Sequence, residues 1–296
     1  MITKGSDAPD RVARLSGPRP ALDPRRHIAR PDLVDIALAG CVAAARYVEP
    51  QRLRCHTART PMRKSGDAAA VAVSELLCGE DFDVFETVDG WAFGRSVGDN
   101  YTGWVAAAAL DEAADLALQR ITARCAPVFA TADIKAPVLA ELPFGARVAG
   151  VAGDRFLALA SGGFVHLRHL AAVPADDLAV ARLFSGAPYL WGGRTPAGVD
   201  CSGLVQAALA ACAIGCPRDS DQQRDEVGQA VAFDDRAAGD LVFFPGHVGM
   251  LATRDRLFHA NAHWMATVEE PLADVIARLA ATGVAEPVTG VRRVRM

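Results

Sequence analysis

The chain contains 296 residues, of which 51% are apolar and 22% are charged, and its formal net charge is −4. This length and composition allow two or three small domains with buried cores and exclude general disorder. A slightly acidic chain without Lys/Arg-rich blocks lacks the electrostatic footprint of a nucleic-acid-binding protein, so we expect no nucleic-acid partner.

The first 50 residues predict an arm followed by a helix. Residues up to about position 30 are rich in Pro, Arg and Asp, a composition typical of a loose arm that can wrap a core. A helix is predicted to begin at Pro31-Asp32, because apolar residues then recur at helical spacing. The residues on this apolar face are Leu33, Ile36, Ala37 and Gly40.

Attachment to a membrane is not expected. The chain has no run of about 18 uncharged apolar residues and no secretory signal after Met1. Leu38–Cys41 has the form of a bacterial lipoprotein cleavage site, but Asp32 and Asp35 leave too short an apolar core before it. Seven cysteines without a Cys-x-x-Cys pair favour a reducing compartment over a disulfide framework. We therefore expect a cytoplasmic protein, with lipid attachment at Cys41 as the alternative.

Residues 51–111 predict a small all-β unit. Polar and apolar residues alternate over Asp83–Val88, Asp89-Gly90 has the composition of a hairpin turn, and the alternation resumes at Trp91. Gly103-Trp104-Val105 closes the unit. In strand length, size and this Gly-aromatic-Val ending, the unit resembles a bacterial SH3-like barrel.

Residues 112–174 predict a second, more divergent copy of the same unit. Gly163-Phe164-Val165 lies 60 residues after its counterpart, and Leu170 lies 60 residues after Leu110. A fixed offset of this kind is typical of an internal repeat. The end of this segment, from Ala171 to Pro174, is expected to be a short linker.

Residues 175–296 predict a domain that begins with helices and continues with strands. Asp176-Asp177 can cap a helix that runs to Phe184, and a second helix is expected over 202–213. A helix over 271–281 and four strands complete the prediction, the strands lying near 241–244, 248–251, 257–259 and 288–294. This order favours a helix packed on an antiparallel sheet, so the predicted fold class is α+β.

The densest chemical pattern surrounds Cys201, which opens an apolar helix. Unpaired N–H groups and the helix dipole at this position favour a thiolate. His247, at the start of a strand, is the candidate base, and His259 can fix its tautomer through a hydrogen bond. The Cys201 N–H group and the Tyr189 hydroxyl can stabilise an oxyanion. The pattern by itself indicates a thiol hydrolase of the papain-like kind.

Zinc binding by Cys201, His247 and His259 is the alternative chemical interpretation. It lacks a fourth ligand at a familiar spacing, and the surrounding motifs are not those of zinc sites. We therefore expect neither a metal nor an organic cofactor.

From residue 177 to its end, the chain resembles the NlpC/P60 peptidases. Five motifs in the same order carry the resemblance: Pro188–Gly193, Asp200–Val205, Gly239–Phe244, His247–Met250 and His259-Ala260. The resemblance implies a papain-like fold and a catalytic triad of Cys201, His247 and His259. It also implies peptidoglycan stem peptides as substrate, cut between γ-D-glutamate and a diamino acid. The residues expected to support the triad are Tyr189, Asp200 and Ser202.

Two barrels before such a domain make the chain similar to γ-D-glutamyl-L-diamino acid endopeptidases. That subgroup acts on free stem peptides with an unblocked N-terminal L-Ala, and its first barrel narrows one end of the cleft. Tyr101 is the residue expected to take this role here, and the alternative is that its side chain simply packs within the barrel loop. Arg218 is expected to pair with a substrate carboxylate. Asp219 or Ser220 is expected to meet an amide or ammonium group, or to cap the following helix. Trp191 is a further candidate for substrate binding, although a structural wedge under the cysteine loop is the preferred interpretation.

The function implied is a cytoplasmic cysteine endopeptidase that trims muropeptides during cell-wall recycling. One alternative is a secreted or lipid-anchored hydrolase that acts on intact peptidoglycan. Another is a wall-peptide-binding protein whose thiol site is inactive, although all three triad positions are filled.

Overall fold

The computed structural model describes residues 21–172 and 176–294. The first 20 residues of the predicted arm, and the end of the predicted linker, lie outside the described residues. Within the described ranges, no helix has the length and apolar character needed to cross a membrane.

The helix predicted from Pro31 onward is wrong. The chain instead forms strand β1 (Val34–Asp35), makes a single 3-10 turn at Ile36–Leu38, and returns as β2 (Tyr47–Val48). The two strands pair in parallel.

Tertiary packing explains why the helical spacing is not realised. Leu33 and Val34 are both buried, although consecutive residues of a surface helix do not share one face. Ile28 and Leu33 pack against Phe85 of the first barrel in a small core of their own. Burial against this neighbour therefore overrides the local pattern.

Seven strands form the first barrel: β3 (Gln51–Cys55), β4 (Arg59–Arg63), β5 (Ala72–Leu77), β6 (Asp81–Val88), β7 (Trp91–Ser96), β8 (Thr102–Ala106) and β9 (Leu110–Glu112). They pair antiparallel in the order β5-β4-β8-β7-β6-β3-β9 around a core that includes Met62 and Phe82. The predicted hairpin turn is confirmed. Asp89 and Gly90 both have positive φ, at 49° and 81°, as a type I′ turn requires.

Seven shorter strands form the second barrel: β10 (Gln119–Arg120), β11 (Cys125–Phe129), β12 (Val138–Pro143), β13 (Arg147–Val148), β14 (Gly150–Ala152), β15 (Phe156–Leu159) and β16 (Phe164–His166). Five of them pair in the order β12-β11-β16-β15-β14, and β10 pairs with β13.

The repeat between the barrels has a physical basis in two glycines. A Cβ atom on Gly103 would lie 2.4 Å from Met62 Cγ, and one on Gly163 would lie 2.6 Å from Val128 Cγ1. Each glycine thus admits a core side chain of the opposite strand, β4 in the first barrel and β11 in the second. After each glycine, the strand at that position, β8 in the first barrel and β16 in the second, leads directly into one 3-10 turn.

The C-terminal domain contains four helices and eight strands: α1 (Asp177–Ala181), β17 (Arg194–Thr195), β18 (Gly198–Val199), α2 (Cys201–Ala211), α3 (Ser220–Glu226), β19 (Gln229–Ala230), β20 (Leu241–Phe244), β21 (His247–Thr253), β22 (Arg256–Asn261), β23 (Ala266–Pro271), α4 (Leu272–Ala281) and β24 (Gly290–Arg293). Six strands form an antiparallel sheet in the order β19-β24-β20-β21-β22-β23, and α2 packs on β21 and β22. The predicted α+β fold is confirmed. Strand β23 was not predicted.

Both barrels contact this domain directly. Phe144 of the second barrel packs edge-on against Phe184, with ring centroids 5.7 Å apart. From the first barrel, the Glu80 carboxylate accepts a hydrogen bond from Arg194 at 2.8 Å, and the Asp99 carboxylate accepts one from Gln206 at 2.8 Å. The contact between Asp99 and Gln206 holds the loop that precedes β8 against the middle of α2.

Candidate active site

Cys201 is the first residue of α2. The preceding residue, Asp200, caps the helix, because its Oδ1 atom accepts a 2.7 Å hydrogen bond from the Gly203 N–H group. The backbone N–H groups of Ser202 and Val248 lie close enough to the Cys201 sulfur to lower its pKa. The second of these brings the sulfur to the start of β21, next to His247.

Glycines on both sides of Cys201 allow the preceding loop to pack closely against α2. A Cβ atom on Gly203 would lie 2.3 Å from the carbonyl oxygen of Gly193, too close for any side chain. Gly192 has a φ of +81°, and its N–H group donates a 2.8 Å hydrogen bond to Asp200 Oδ2. The glycines therefore serve the geometry of the cysteine loop.

Arg218 does not bind substrate in the way that the sequence suggested. Its side chain is 1% exposed, and it holds Asp200 in a two-pronged ion pair at 2.6 and 3.0 Å. The guanidinium also donates hydrogen bonds to Ser202 Oγ at 2.9 Å and to Ser74 Oγ at 3.1 Å. This expectation is therefore corrected: Arg218 is a buried support of the helix cap and makes no part of the cleft lining.

The two histidines lie side by side on neighbouring strands. His247 Nε2 and His259 Nδ1 are 2.8 Å apart, so the predicted hydrogen bond between the imidazoles is present. On its far side, His259 Nε2 lies 2.9 Å from Glu270 Oε1. Glu270 is held in turn by the guanidinium of Arg278, at 2.5 and 2.8 Å.

The protonation of the cysteine and histidine at rest differs from the prediction. Burial, reinforced by Asp200, raises the pKa of Cys201 to about 11. Burial, reinforced by the neighbouring His259, lowers the pKa of His247 to about 3. The helix N-terminus therefore does not produce a resting thiolate, since desolvation outweighs it. At neutral pH the pair consists of a thiol and a neutral imidazole.

A cleft of about 670 Å³ reaches the sulfur from the protein surface. Cys201 is 6% exposed and lies on its lining. The cleft is shared by three parts of the chain, since its other lining residues include Pro24, Lys64, Tyr101, Trp191, Asp219 and Ser220.

Tyr101 and Asp219 lie together on the lining of the cleft and are joined by a hydrogen bond. The Tyr101 hydroxyl donates to the Asp219 carboxylate at 3.1 Å, and Arg25 donates to the same carboxylate at 2.9 Å. Burial and the Asp219 charge raise the pKa of Tyr101, which keeps the hydroxyl protonated. Asp219 occupies the N-cap position of α3, but its side chain makes no capping hydrogen bond there.

The other predicted cleft residues differ in exposure. Trp191 is 61% exposed and lines the cleft, so the preferred interpretation as a buried wedge is wrong. Tyr189 is half-buried, and burial together with the nearby Cys201 raises the pKa of its hydroxyl to about 12. Ser202 is buried and donates to Asp200 at 3.3 Å, whereas Ser220 is half-buried on the cleft lining.

Three features of the site were missed at the level of sequence. Glu270 lies on β23, the strand that was not predicted. Arg25 comes from the arm, whose composition gave no sign of a specific contact. Arg218 was expected to pair with a substrate carboxylate, because its position 18 residues after Asp200 gives no local signal of the buried ion pair. Only the Asp200-x-x-Gly203 spacing, typical of a helix cap, pointed toward this support.

A cysteine that opens a helix, packed on an antiparallel sheet that presents two hydrogen-bonded histidines, defines a papain-like domain with a thiol–imidazole site. Residues 186–290 match the model of the NlpC/P60 family. Residues 62–110 match that of the bacterial dipeptidyl-peptidase SH3 domain. The chain therefore carries an NlpC/P60 domain, preceded by a bacterial SH3-like domain.

Relatives and solved structures agree with this assignment. The chain is 31% identical over 132 residues to the gamma-D-glutamyl-L-lysine dipeptidyl-peptidase of Bacillus subtilis, covering 42% of this chain and 44% of that protein. It is 37% identical over 121 residues to the gamma-DL-glutamyl hydrolase of the same organism, covering 36% and 29%. The matches thus span less than half of either relative. A crystal structure of an NlpC/P60 family protein from Bacillus cereus shares the fold, with a TM-score of 0.69, 19% identity, and coverage of 82% of this chain and 99% of that one.

Proposed function

We propose that the protein is a cysteine endopeptidase that cleaves the bond between γ-D-glutamate and a diamino acid in peptidoglycan stem peptides with a free N-terminal L-Ala. The observation that carries this proposal is a single cleft that joins Cys201 to Tyr101 and Asp219, whose hydrogen bond we take to close one end. A substrate that lies in this cleft has room for only a short segment on that side of the sulfur. The name of the B. subtilis gamma-D-glutamyl-L-lysine dipeptidyl-peptidase supports cleavage at the same bond.

The closed end is suited to an ammonium group. Arg25 forms ion pairs with Asp23, Asp219 and Asp221, at 2.7, 2.9 and 2.9 Å. Three carboxylates surround one guanidinium, which leaves negative charge for a second cation. The free amine of L-Ala would pair with Asp219, while Tyr101 limits the space beyond it.

Lys64 takes the place of Arg218 as the candidate partner of the substrate carboxylate. A γ-linked D-glutamate keeps its α-carboxylate free, and Lys64 lies on the lining of the cleft. The Lys64→Met variant is expected to raise KM for the free tripeptide. It should leave KM unchanged for the same peptide with that carboxylate amidated, and an equal effect on both peptides would contradict this assignment.

The reaction begins with a proton transfer from the Cys201 thiol to His247 Nδ1, the nitrogen that faces away from His259. The thiolate attacks the γ-carbonyl carbon, a C–S bond forms, and the oxyanion is bound by the Cys201 N–H group and the Tyr189 hydroxyl. The imidazolium then gives its proton to the leaving amine as the C–N bond breaks. Water, deprotonated by His247, hydrolyses the thioester and restores the thiol.

The direct test uses L-Ala-γ-D-Glu-diamino-acid tripeptides, with and without an N-terminal acetyl group. Release of L-Ala-γ-D-Glu from the free peptide, and none from the acetylated peptide, is expected from the closed acidic end. Cys201→Ala should abolish cleavage. Equal cleavage of both peptides would overturn the requirement for a free amine, and no cleavage of any stem peptide would overturn the peptidase assignment.

We place this activity in the recycling of wall peptides in the cytoplasm. Stem peptides with a free L-Ala arise only after the amide bond to the sugar has been cut, so an earlier amidase reaction must supply the substrate. Fractionation of cells that express a tagged chain tests the location. Recovery with the membrane, or activity on intact sacculi, would favour the secreted or lipid-anchored alternative.

A further inference from the structure

The hydrogen-bonded series of side chains at the active site does not end at His259. His259 is fully buried, and its two ring nitrogens contact His247 on one side and Glu270 on the other. Glu270 is 7% exposed, and both of its carboxylate oxygens accept from Arg278. The four side chains therefore form one continuous line from Arg278, at the surface of the catalytic domain, to the imidazole of His247.

The register of the sheet explains how Glu270 reaches this position. Strand β23 pairs with β22 so that His259 lies opposite Val268. Glu270 is two residues further along β23, and residues two apart point to the same face of a sheet. Glu269, between them, points to the other face and pairs there with Arg256 at 2.6 Å.

The charge of Glu270 fixes the direction of every hydrogen bond in the line. Burial raises the pKa of Glu270, but hydrogen bonds from Arg278, Trp264 and His259 outweigh it and bring the pKa to about 2. An ionised carboxylate can only accept, so His259 Nε2 must carry a hydrogen. A neutral His259 then accepts at Nδ1, and His247 must donate from Nε2. His247 Nδ1 is left without a hydrogen.

We propose that Glu270, anchored by Arg278, is a positioning residue that sets the tautomers of His259 and His247 and so directs the free imidazole nitrogen toward the Cys201 thiol. The inference rests on the proposed function only in taking Cys201 as the nucleophile. The S–H bond of Cys201 breaks and the proton goes to His247 Nδ1. The resulting imidazolium is connected through His259 to the negative charge of the Glu270 carboxylate. No proton moves to Glu270.

The test follows the alkylation of Cys201 by iodoacetamide, which needs no substrate. Peptide-resolved mass spectrometry measures the rate at this cysteine alone, at several pH values from about 6 to 9, a range that brackets the ordinary pKa values of His and Cys. The variants are Glu270→Leu, which removes the acceptor, and Glu270→Gln, which keeps an acceptor and loses the charge. Glu269→Gln is the matched control on the opposite face.

Glu270→Leu is expected to slow alkylation about tenfold or more near pH 7, because the wrong tautomer removes the base. Glu270→Gln should slow it less, since Arg278 orients the amide oxygen toward His259. Glu269→Gln should match the wild type. The inference is overturned if all three variants react like the wild type, or if Glu269→Gln slows the reaction as much as Glu270→Leu.

Two further measurements separate positioning from stability. In ¹⁵N-histidine NMR spectra of the wild-type protein, His247 should carry its hydrogen on Nε2, and a hydrogen on Nδ1 would overturn the inference even if the variants fail to fold. With the tripeptide, Glu270→Gln should lower kcat and leave KM unchanged. If the wild type cleaves no stem peptide while the alkylation and NMR results hold, the proposed substrate fails and the role of Glu270 stands.

Several titratable or charged groups lie near this line of side chains, and the pH dependence of the alkylation rate depends on which of them change charge in the range tested. Around Cys201 they are Tyr189, Asp200 and Arg218, and around the histidines they are Glu270 and Arg278. Glu270 and Arg278 keep their charges across the range tested. The profile therefore reports formation of the Cys201 thiolate, because the lowered pKa values of His247 and His259 keep both imidazoles neutral across this range.

Discussion

Replacing Arg218 by Met would remove one partner of the buried ion pair under the cysteine loop. The two charges lie 2.6 Å apart with side-chain exposures of 1% and 7%, so water cannot replace the lost guanidinium. Removing one partner of such a pair costs about 3–5 kcal/mol. Asp200 keeps its hydrogen bonds from Gly192 and Gly203, so we expect the lower end, about 3 kcal/mol.

The assay is urea-induced unfolding followed by circular dichroism, with the Cys201 alkylation rate measured on the same samples. Arg224→Met is the matched control, because Arg224 pairs with the exposed Asp225 on the surface of α3. This control should leave the free energy of unfolding unchanged. Adding Asp200→Asn to Arg218→Met should cost less than the sum of the single changes, since it removes the uncompensated charge.

Two interpretations of Arg218 predict opposite results. If Arg218 bound a substrate carboxylate, its replacement would raise KM and leave stability intact. The buried ion pair predicts a loss of stability in the absence of any peptide. A change below about 1 kcal/mol, no larger than that of an exposed pair, would refute the reasoning from burial.

Three further changes probe the rest of the site. Asp219→Asn is expected to raise KM for the free tripeptide about tenfold, the loss of one charge-assisted contact, without changing the Cys201 alkylation rate; an unchanged KM would remove Asp219 from amine binding. Gly203→Ala should destabilise the fold by about 1–3 kcal/mol and slow cleavage, because its Cβ atom would lie 2.3 Å from the Gly193 oxygen. In the same unfolding assay, the control Gly215→Ala should be tolerated, because no atom lies within 4 Å of its Cβ position. Because the pKa of His247 is lowered in the folded protein, the imidazole takes up a proton in the unfolded chain first as pH falls. Between pH 7 and pH 5 the wild type should therefore lose about 1–2 kcal/mol more stability than His247→Asn, and parallel losses in the two proteins would contradict a buried neutral imidazole.

The parts of the site that were predicted from sequence are those set by contiguous residues. Cys201 opens a helix because Asp200 and Gly203 form a local cap, and the turn at Asp89-Gly90 requires only two residues with positive φ. The histidine pair was predicted from its place on two successive strands, and the resemblance to NlpC/P60 motifs implied the same triad.

The parts that were not predicted depend on contacts between distant segments. Arg25 meets Asp219 across 194 residues, and no periodicity encodes such a meeting. The helix expected from Pro31 failed for the same reason, since burial of Leu33 against the first barrel decided the local structure. Glu270 was missed because its role depends on the register of β23, which places it diagonally from His259.

The first barrel is a part of the active site and not a tether. A tethered domain meets its neighbour through few buried polar contacts. Here Ser74 accepts from the buried Arg218, and Glu80 accepts from Arg194, whose side chain is 12% exposed. Tyr101 closes the cleft by donating to Asp219. Separation of the barrel from residues 175–296 would remove Glu80 from the buried Arg194 and Ser74 from Arg218, and it would take Tyr101 away from Asp219. The proposed binding of the free amine and the support of the cysteine loop therefore depend on the same interface.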